Sequence, residues 1–218
     1  MQEQDYIAIQ QELSTKVVQE DQLLEVHYVA GVDVAYEKAG AQVVAAITLL
    51  DAHTLQLLET AIHAEKASFP YIPGLFSFRE IPPILKAWQK LTIQPDLVIC
   101  DGQGYAHPRR FGLACHLGVE LDIPAIGCAK SRLIGQYDPV AVQRGSASNL
   151  IDNQEVIGKV LRTQQDIKPV FVSIGHKVSL ATACDWVLKL SPQYRLPETT
   201  RTADQAVKIA MKALNEDE

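Results

Sequence analysis

The chain has 218 residues, a length that suits one α/β domain, and 47% of them are hydrophobic, enough to bury a core without disulfides. Its formal net charge of −6 excludes a protein that coats nucleic acid through a general basic surface. The isolated cysteines indicate a reducing, cytoplasmic-type compartment and no zinc site. The polar N-terminus predicts no signal peptide, and the apolar runs are too short to span a membrane.

The first half of the chain predicts a helix, three strands and a second helix. Apolar residues recur every three or four positions over 3–20, which predicts the first helix. Strands are predicted at 26–36, 42–51 and 54–65, and a turn at Lys38-Ala39-Gly40 would join the first two of an antiparallel meander. Residues 68–74, called the Pro-Gly loop below, precede a helix predicted at 80–91.

The second half alternates strands and helices. The predicted elements are a strand at 97–101, a helix at 108–120, a strand at 124–128, an irregular excursion over 130–155, strands at 156–162 and 169–174, and helices at 179–190 and 202–214. We therefore expect one α/β domain over 1–218 with a ribonuclease-H-like mixed sheet, built from an antiparallel three-strand meander plus parallel strands. Helices should cover both faces of this sheet.

Two aspartates stand where ligands of open α/β folds bind. Asp33 lies between valines in a nearly apolar strand, where an unpaired buried carboxylate would be costly, unless the residue lies at a strand edge and points to water. Asp101 ends an apolar run and precedes Gly102-Gln103-Gly104, at the mouth of the predicted sheet. If the two strands are neighbours, the carboxylates converge, and their repulsion favours a shared Mg²⁺ or Mn²⁺ ion over zinc.

Four further polar residues could complete such a site. Glu80 could be a third ligand, although Ser77 and Glu80 also match a helix capping box. Asp204 falls in the predicted first turn of the last helix, where an acid is common because of the helix dipole. Lys130 follows a predicted strand and could hold a phosphate oxygen, and His107 could bind phosphate or polarise a water.

Together these motifs resemble endonuclease V, the family of inosine-directed nucleases. The matching stretches are Ala30-Gly31-Val32-Asp33-Val34, Phe69-Pro70-Tyr71-Ile72-Pro73-Gly74 with Ser77-Phe78-Arg79-Glu80, Asp101-Gly102-Gln103-Gly104 through His107-Pro108-Arg109-Arg110-Phe111-Gly112, Gly127-Cys128-Ala129-Lys130-Ser131, Ile174-Gly175-His176-Lys177-Val178-Ser179 and Tyr194-Arg195-Leu196-Pro197-Glu198. They run in the family's order and cover the chain from about residue 5 to 207. Two positions depart from the family pattern, because Gln103 stands where many members carry His and Thr199 stands where Pro is usual.

The resemblance implies a Mg²⁺-dependent endodeoxyribonuclease, with Mn²⁺ as a substitute, that repairs DNA containing deoxyinosine. It would cleave the second phosphodiester 3′ of the lesion and leave a 3′-hydroxyl and a 5′-phosphate. The implied catalytic residues are Asp33, Glu80, Asp101, Lys130 and His107, and the implied metal ligands are Asp33, Asp101, Glu80 and Asp204. The residues expected at the DNA or the lesion are Tyr71, as a wedge that opens the base stack, with Pro70, Ile72, Pro73, Gly74, Gly102, Gly104, Arg109 and Gly112.

Three alternatives stay open. The substrate could be RNA that contains inosine. Gly31-Val32-Asp33 and Asp101-Gly102-Gln103-Gly104 are also faintly similar to the phosphate loops of actin-like phosphotransferases, although the chain is short for two domains that close on ATP. A non-catalytic DNA- or RNA-binding protein could share the fold, although the intact acid set and the net charge of −6 argue against it. We expect a monomer.

Overall fold

The protein is described here from a computed structural model, which covers residues 2–37, 42–67, 69–70 and 72–216. The turn at Lys38-Ala39-Gly40 and the predicted wedge Tyr71 lie outside the described residues. The helices are α1 (Glu3–Ser14), α2 (Ser77–Trp88), α3 (Leu113–Leu121), α4 (Leu180–Lys189) and α5 (Glu198–Glu216). The strands are β1 (Tyr28–Tyr36), β2 (Gln42–Asp51), β3 (Leu57–Lys66), β4 (Leu97–Cys100), β5 (Ala125–Ala129), β6 (Ala147–Asp152), β7 (Glu155–Leu161) and β8 (Val170–His176).

Eight strands form one mixed sheet in the order β3-β2-β1-β4-β5-β8-β7-β6. The first three strands pair as an antiparallel meander, and β1, β4 and β5 run parallel to one another. The remaining pairs, β5 with β8, β8 with β7 and β7 with β6, are antiparallel. The predicted mixed sheet is therefore confirmed, whereas the prediction that 1–218 forms one domain stays a prediction.

Helices cover both faces of the sheet, as predicted. Alternate residues of β2 show the two faces, because successive side chains of a strand point to opposite sides. Ala45 and Ile47 pack in the core that α2 and α3 complete, whereas Val44 and Ala46 pack against Val207 of α5. Across the described residues, no helix is both long and apolar enough to cross a membrane.

The segment after α1 binds the far end of β8 instead of extending the helix. The Val18 N–H donates to His176 Nδ1 over 3.2 Å, and the Lys177 N–H donates to the Val18 carbonyl over 2.8 Å. Next to them, Asp21 accepts hydrogen bonds from Ser179, whose hydroxyl caps the start of α4. The prediction that the first helix extends over residues 15–20 is therefore wrong, because these hydrogen bonds replace the helical ones.

Three other predicted boundaries are also wrong. The helix predicted at 108–120 begins only at Leu113, because Arg110 has a φ of +56° and the His-Pro-Arg-Arg stretch forms turns. The last helix begins at Glu198 instead of 202, which places Asp204 in its second turn rather than its first. The predicted irregular excursion over 130–155 contains strand β6.

Arginine side chains fix the part of the excursion that lacks regular structure. The Arg162 guanidinium donates to the carbonyls of Val140 and Ala141 over 2.9 and 2.6 Å. The Arg195 guanidinium donates to the Lys130 carbonyl over 2.5 Å. Each guanidinium offers five N–H donors in a rigid fork, so one side chain can satisfy several carbonyls that no strand partner reaches. The backbone that carries Lys130 is thereby held in place.

Candidate active site

The structure brings together Asp33, which lies within β1, and Asp101, which directly follows the neighbouring parallel strand β4. Val32 of β1 and Cys100 of β4 are register partners, and each aspartate directly follows one of them. The Asp101 N–H continues the pairing by donating to the Val32 carbonyl over 3.1 Å. Burial, reinforced by the charge of Asp101, raises the pKa of Asp33 to about 7. One carboxylate therefore disfavours ionisation of the other, as expected for two acids in one site.

Glu80 of α2 is a buried acid, 5% exposed, that faces the same site. Its Oε1 accepts a hydrogen bond from the Tyr36 hydroxyl over 3.1 Å. Burial raises the pKa of Glu80 to about 8; the bond from Tyr36 opposes this rise, and the charges of Asp33 and Asp101 add to it. The carboxyl groups of Asp33, Asp101 and Glu80 therefore interact electrostatically, and Asp204 also acts on Asp33.

The alternative interpretation of Ser77 and Glu80 as a helix capping box is wrong. Ser77 is the first residue of the helix rather than its N-cap, and its hydroxyl bonds Nδ1 of the buried His116 over 2.9 Å. With the Glu80 carboxyl turned towards Tyr36, neither side chain caps the helix in the reciprocal manner that the box requires.

Lys130 is the cation that contacts these acids. Its ammonium donates to Asp101 Oδ2 over 2.5 Å and lies 3.9 Å from Asp204 Oδ1. Burial alone would lower the pKa of Lys130, but its hydrogen bond to Asp101, with Asp33 and Asp204 nearby, raises it. Lys130 therefore stays charged and links Asp101, which follows β4, to Asp204 of α5.

His107 is buried, 5% exposed, and neutral. Its Nδ1 accepts the Arg109 N–H over 3.2 Å, which leaves the proton on Nε2. Burial, together with the nearby charge of Arg109, lowers the pKa of His107 to about 4. A hydrogen bond with the Gly74 backbone acts in the opposite direction and raises this pKa. At neutral pH this imidazole offers no positive charge to a phosphate.

A cavity of about 480 Å³, called the site cavity below, joins these groups. Its lining includes the predicted residues Glu80, Asp101, His107, Lys130, Pro73, Gly74, Gly102 and Gly112. Eight further lining residues were not predicted: Phe76, Ser77, Gln103, Leu113, Ala129, Ser131, Arg132 and Leu133. Asp33 and Asp204 do not line the cavity. Asp33 interacts electrostatically with the lining residue Asp101, and Asp204 lies 3.9 Å from the lining residue Lys130. A wider hollow of about 850 Å³ over the β6–β7 hairpin contains none of the predicted residues.

The remaining predicted DNA-binding residues have different surroundings. Pro70 is exposed and Ile72 is half-buried, both outside the cavity lining. Gly104 packs against backbone, since a Cβ there would lie 2.1 Å from the Ile174 carbonyl oxygen. Arg109 is engaged within the protein, because its Nη2 donates to the Gly74 carbonyl over 2.6 Å and its Nε to Gln10.

Tyr36 and Gln10 are two residues of the site's surroundings that the sequence did not predict. Gln10 offered a signal, because it lies four residues after Tyr6 on the apolar face of α1, where a buried polar side chain needs partners. Tyr36 ends a predicted strand three residues after Asp33, but its pairing with Glu80 spans 44 positions and left no local pattern.

The donor chemistry of the site fits a hard divalent cation. Among the described residues, no three Asp, Glu, His or Cys side chains already stand as a metal-ligand cluster. The acids that converge here nevertheless offer only carboxylate oxygens, which Mg²⁺ and Mn²⁺ prefer. Burial is the main cause of the raised pKa of Asp33 and of Glu80, and the neighbouring carboxylates add to it; a dication would neutralise that negative charge.

Comparison with known proteins identifies the family. The family model described as Endonuclease V matches residues 11–205. Endonuclease V of Rippkaea orientalis is 54% identical over 197 residues, which cover 90% of this chain and 86% of the relative. The crystal structure of endonuclease V from Streptomyces avermitilis superposes with a TM-score of 0.94 at 46% identity, covering 98% of this chain and 95% of that one. That of Ciona intestinalis endonuclease V, in complex with a 24mer DNA containing an inosine followed by a ribo-adenosine, has a TM-score of 0.85 at 29% identity, covering 97% and 98% of the two chains. The chain belongs to the endonuclease V family.

Proposed function

We propose that this protein is a Mg²⁺-dependent endonuclease that cleaves DNA at the second phosphodiester 3′ of deoxyinosine and leaves a 3′-hydroxyl and a 5′-phosphate. The observation that carries the proposal is the site cavity, which places acids, a lysine and glycine backbone around one space. The size of the cavity, about 480 Å³, suits a single extruded base. The four cysteines are buried and unpaired, which supports a reducing, cytoplasmic compartment.

The carboxyl groups would hold the cation, with Asp33 and Asp101 as the first ligands and Glu80 and Asp204 as further ones. When bound, such a cation activates a water and neutralises charge on the scissile phosphate. Lys130 would hold a non-bridging phosphate oxygen, since its ammonium already lies between Asp101 and Asp204. In the metal-free site burial raises the pKa of Glu80 to about 8, so the cation would displace a proton from Glu80 on binding.

Base selectivity would come from backbone and neutral groups of the cavity. Hypoxanthine presents an O6 acceptor and an N1–H donor, whereas adenine presents an amine donor and an N1 acceptor. Fixed N–H and C=O groups near Gly74 and Gly102 would pair with the first pattern and leave groups unpaired with the second, which costs about 1–3 kcal/mol for each buried group. Tyr71 would fill the gap in the duplex that the extruded base leaves.

RNA that contains inosine is a second candidate substrate. The Ciona intestinalis relative was crystallised in complex with a 24mer DNA that contains an inosine followed by a ribo-adenosine. By analogy, we propose that the present chain tolerates a 2′-hydroxyl 3′ of the lesion.

A nicking assay on matched duplexes that differ only in deoxyinosine against deoxyadenosine tests the proposal. We expect one nick, at the second phosphodiester 3′ of deoxyinosine, in Mg²⁺ and none in EDTA. Asp33→Asn and Asp101→Asn should each abolish it, because each loses a charged ligand, while the melting temperature shows that the fold persists. Cleavage in EDTA, equal cleavage of both duplexes, or an active Asp101→Asn variant would refute the proposal. The same assay on an RNA that contains inosine tests whether RNA is a second substrate.

A further inference from the structure

Gln10 of α1 is a buried glutamine, 1% exposed, that connects three separate parts of the chain. Its Nε2 donates to the carbonyls of Gly74 and Phe111 over 3.1 and 2.8 Å. Its Oε1 accepts a hydrogen bond from Arg109 Nε. Gln10 lies one residue before the stretch that the family model matches, yet its amide bonds the backbone of the site's surroundings.

The bonds around Gln10 close into a network. Arg109 also donates through Nη2 to the Gly74 carbonyl over 2.6 Å, and the Arg109 N–H donates to His107 Nδ1 over 3.2 Å. Gly74 and His107 both line the site cavity, as does Gly112, which directly follows Phe111. Two segments of the cavity wall are therefore tied to each other through one amide side chain and one guanidinium.

A second contact from α1 supports the same wall. The Tyr6 ring packs edge-on against Phe69, with centroids 4.7 Å apart, and against Phe78, with centroids 5.1 Å apart. Phe69 is the first described residue of the Pro-Gly loop, and Phe78 lies in α2, four residues after the loop ends. Helix α1 thus contacts the start of the loop and the following helix through Tyr6, and the last loop residue, Gly74, through Gln10.

Only an amide meets the demands at position 10. Two carbonyls require N–H donors, and the guanidinium of Arg109 requires an acceptor. A glutamate of the same length keeps the acceptor but loses both donors. A methionine of similar shape loses donors and acceptor together.

We propose that Gln10 is a positioning residue for lesion recognition, which keeps Gly74 and residues 107–112 at the spacing that hypoxanthine requires. This inference rests on the proposed function, since it assigns the base to the site cavity. The network contains none of the acids, so loss of Gln10 should weaken capture of the lesion and leave the chemical step of a bound substrate nearly intact.

The test compares Gln10→Met and Gln10→Glu with Gln11→Met, the same change at the exposed neighbouring glutamine of α1. For both Gln10 variants we expect the KM for deoxyinosine duplex to rise about tenfold, the effect of losing roughly one to two hydrogen bonds to fixed groups, with kcat within about twofold. Gln11→Met should match the wild type in both constants. Hydrogen exchange should show faster exchange of amides 72–78 in the Gln10 variants only.

The outcomes separate this inference from the proposed function. A wild-type protein that does not cleave deoxyinosine duplex refutes the proposed function whatever the variants do. A wild-type protein that cleaves, with unchanged KM in Gln10→Glu, overturns the role of the two donors. If Gln10→Met unfolds, Gln10→Glu decides, because it keeps the bond to Arg109. A fall in kcat at constant KM would also overturn the inference, since it would place Gln10 in the chemical step.

Discussion

At the scale of single residues, Gly102 and Gly104 differ although they are two positions apart. A Cβ on Gly104 would lie 2.1 Å from a backbone oxygen, which no side-chain movement can relieve. A Cβ on Gly102 would meet only the Leu113 side chain at 3.7 and 3.8 Å, ordinary contact distances. Nothing in the described protein therefore requires glycine at 102, and its open side belongs to the site cavity. We infer that a bound base is what a side chain there would obstruct.

Alanine substitution at these two positions should separate recognition from stability. Gly102→Ala should keep the wild-type melting temperature within about 1 °C and lose at least about tenfold in kcat/KM on deoxyinosine duplex. Gly104→Ala should destabilise the protein by about 1–3 kcal/mol because the added methyl group overpacks against backbone. Thermal denaturation and nicking kinetics check both variants. Full activity in Gly102→Ala would show that no ligand approaches this backbone closely.

The sequence predicts the acids of the site better than their partners. Asp33 and Asp101 could be expected to converge, because each ends or interrupts an apolar strand and only the neighbour relation of the strands had to be assumed. The partners could not be predicted, since Tyr36 meets Glu80 across 44 positions and Gln10 meets Phe111 across 101. Such pairs depend on how helices pack on the sheet, which local spacing does not specify.

At the scale of elements, boundaries were missed where long-range bonds override local pattern. Strand β6 shows one fully buried residue, Leu150, and therefore lacks the alternation that would distinguish a strand from a loop. The early start of α5 at Glu198 comes directly after Pro197, and proline is favoured at the beginning of a helix. Strands β1, β2 and β4 could be predicted because each contains a run of apolar residues that favour strands.

The first turn of α5 lies unusually close to β1. A Cβ on Gly31 would lie 1.9 Å from the Thr199 carbonyl oxygen, so only glycine permits this approach. That carbonyl accepts a hydrogen bond from the Thr48 hydroxyl over 3.1 Å. The hydroxyl of Thr199 itself is fully buried and has no hydrogen-bond partner among the described residues. The helix that carries Asp204 therefore begins with an unsatisfied polar group.

Thr199→Val should stabilise the protein. Valine has the shape of threonine without the hydroxyl, so the change removes a desolvation cost of about 1–3 kcal/mol and leaves the packing intact. A gain of about 1 kcal/mol corresponds to roughly 2–4 °C in melting temperature for a protein of this size. Thr199→Ser is the matched control, which keeps the hydroxyl and should lower the melting temperature. A lower melting temperature in Thr199→Val would mean that the hydroxyl does contribute a bond.

At the scale of the whole molecule, the buried acids link folding to pH. In metal-free protein the pKa of Asp33 is about 7 and that of Glu80 about 8, both above their ordinary values of 3.8 and 4.5. Between these limits the two carboxyl groups bind more protons in the folded protein than in the unfolded chain. Their contribution to the free energy of unfolding therefore falls as the pH rises from about 4 to about 8, whereas the buried His107 and His116, with pKa values lowered to about 4, contribute in the opposite direction below about pH 6.5. A dication that binds the ionised folded site offsets this loss.

The stabilisation by Mg²⁺ should consequently grow with pH. We expect the rise in melting temperature on addition of saturating Mg²⁺ to be larger at about pH 8 than at about pH 5, because protons and the cation compete for the same carboxyl groups. Differential scanning fluorimetry at the two pH values measures the effect. Asp33→Asn should reduce both the pH dependence of the metal-free protein and the Mg²⁺ shift. An equal shift at both pH values would contradict a site built from Asp33 and Glu80.

The attachment of the N-terminal segment also determines when the protein can become competent during synthesis. The hydrogen bond between Val18 and His176 can form only after 158 further residues have been made. The bond between Gln10 and Phe111 can form only after 101 further residues. At roughly 5–20 residues per second, a ribosome needs on the order of ten seconds to make the longer of these stretches. Until Phe111 has been made, Gln10 cannot complete the network that joins the Pro-Gly loop to α1. The nascent chain should therefore lack a formed lesion site until synthesis has passed residue 111, and the segment after α1 should bind β8 only after residue 176.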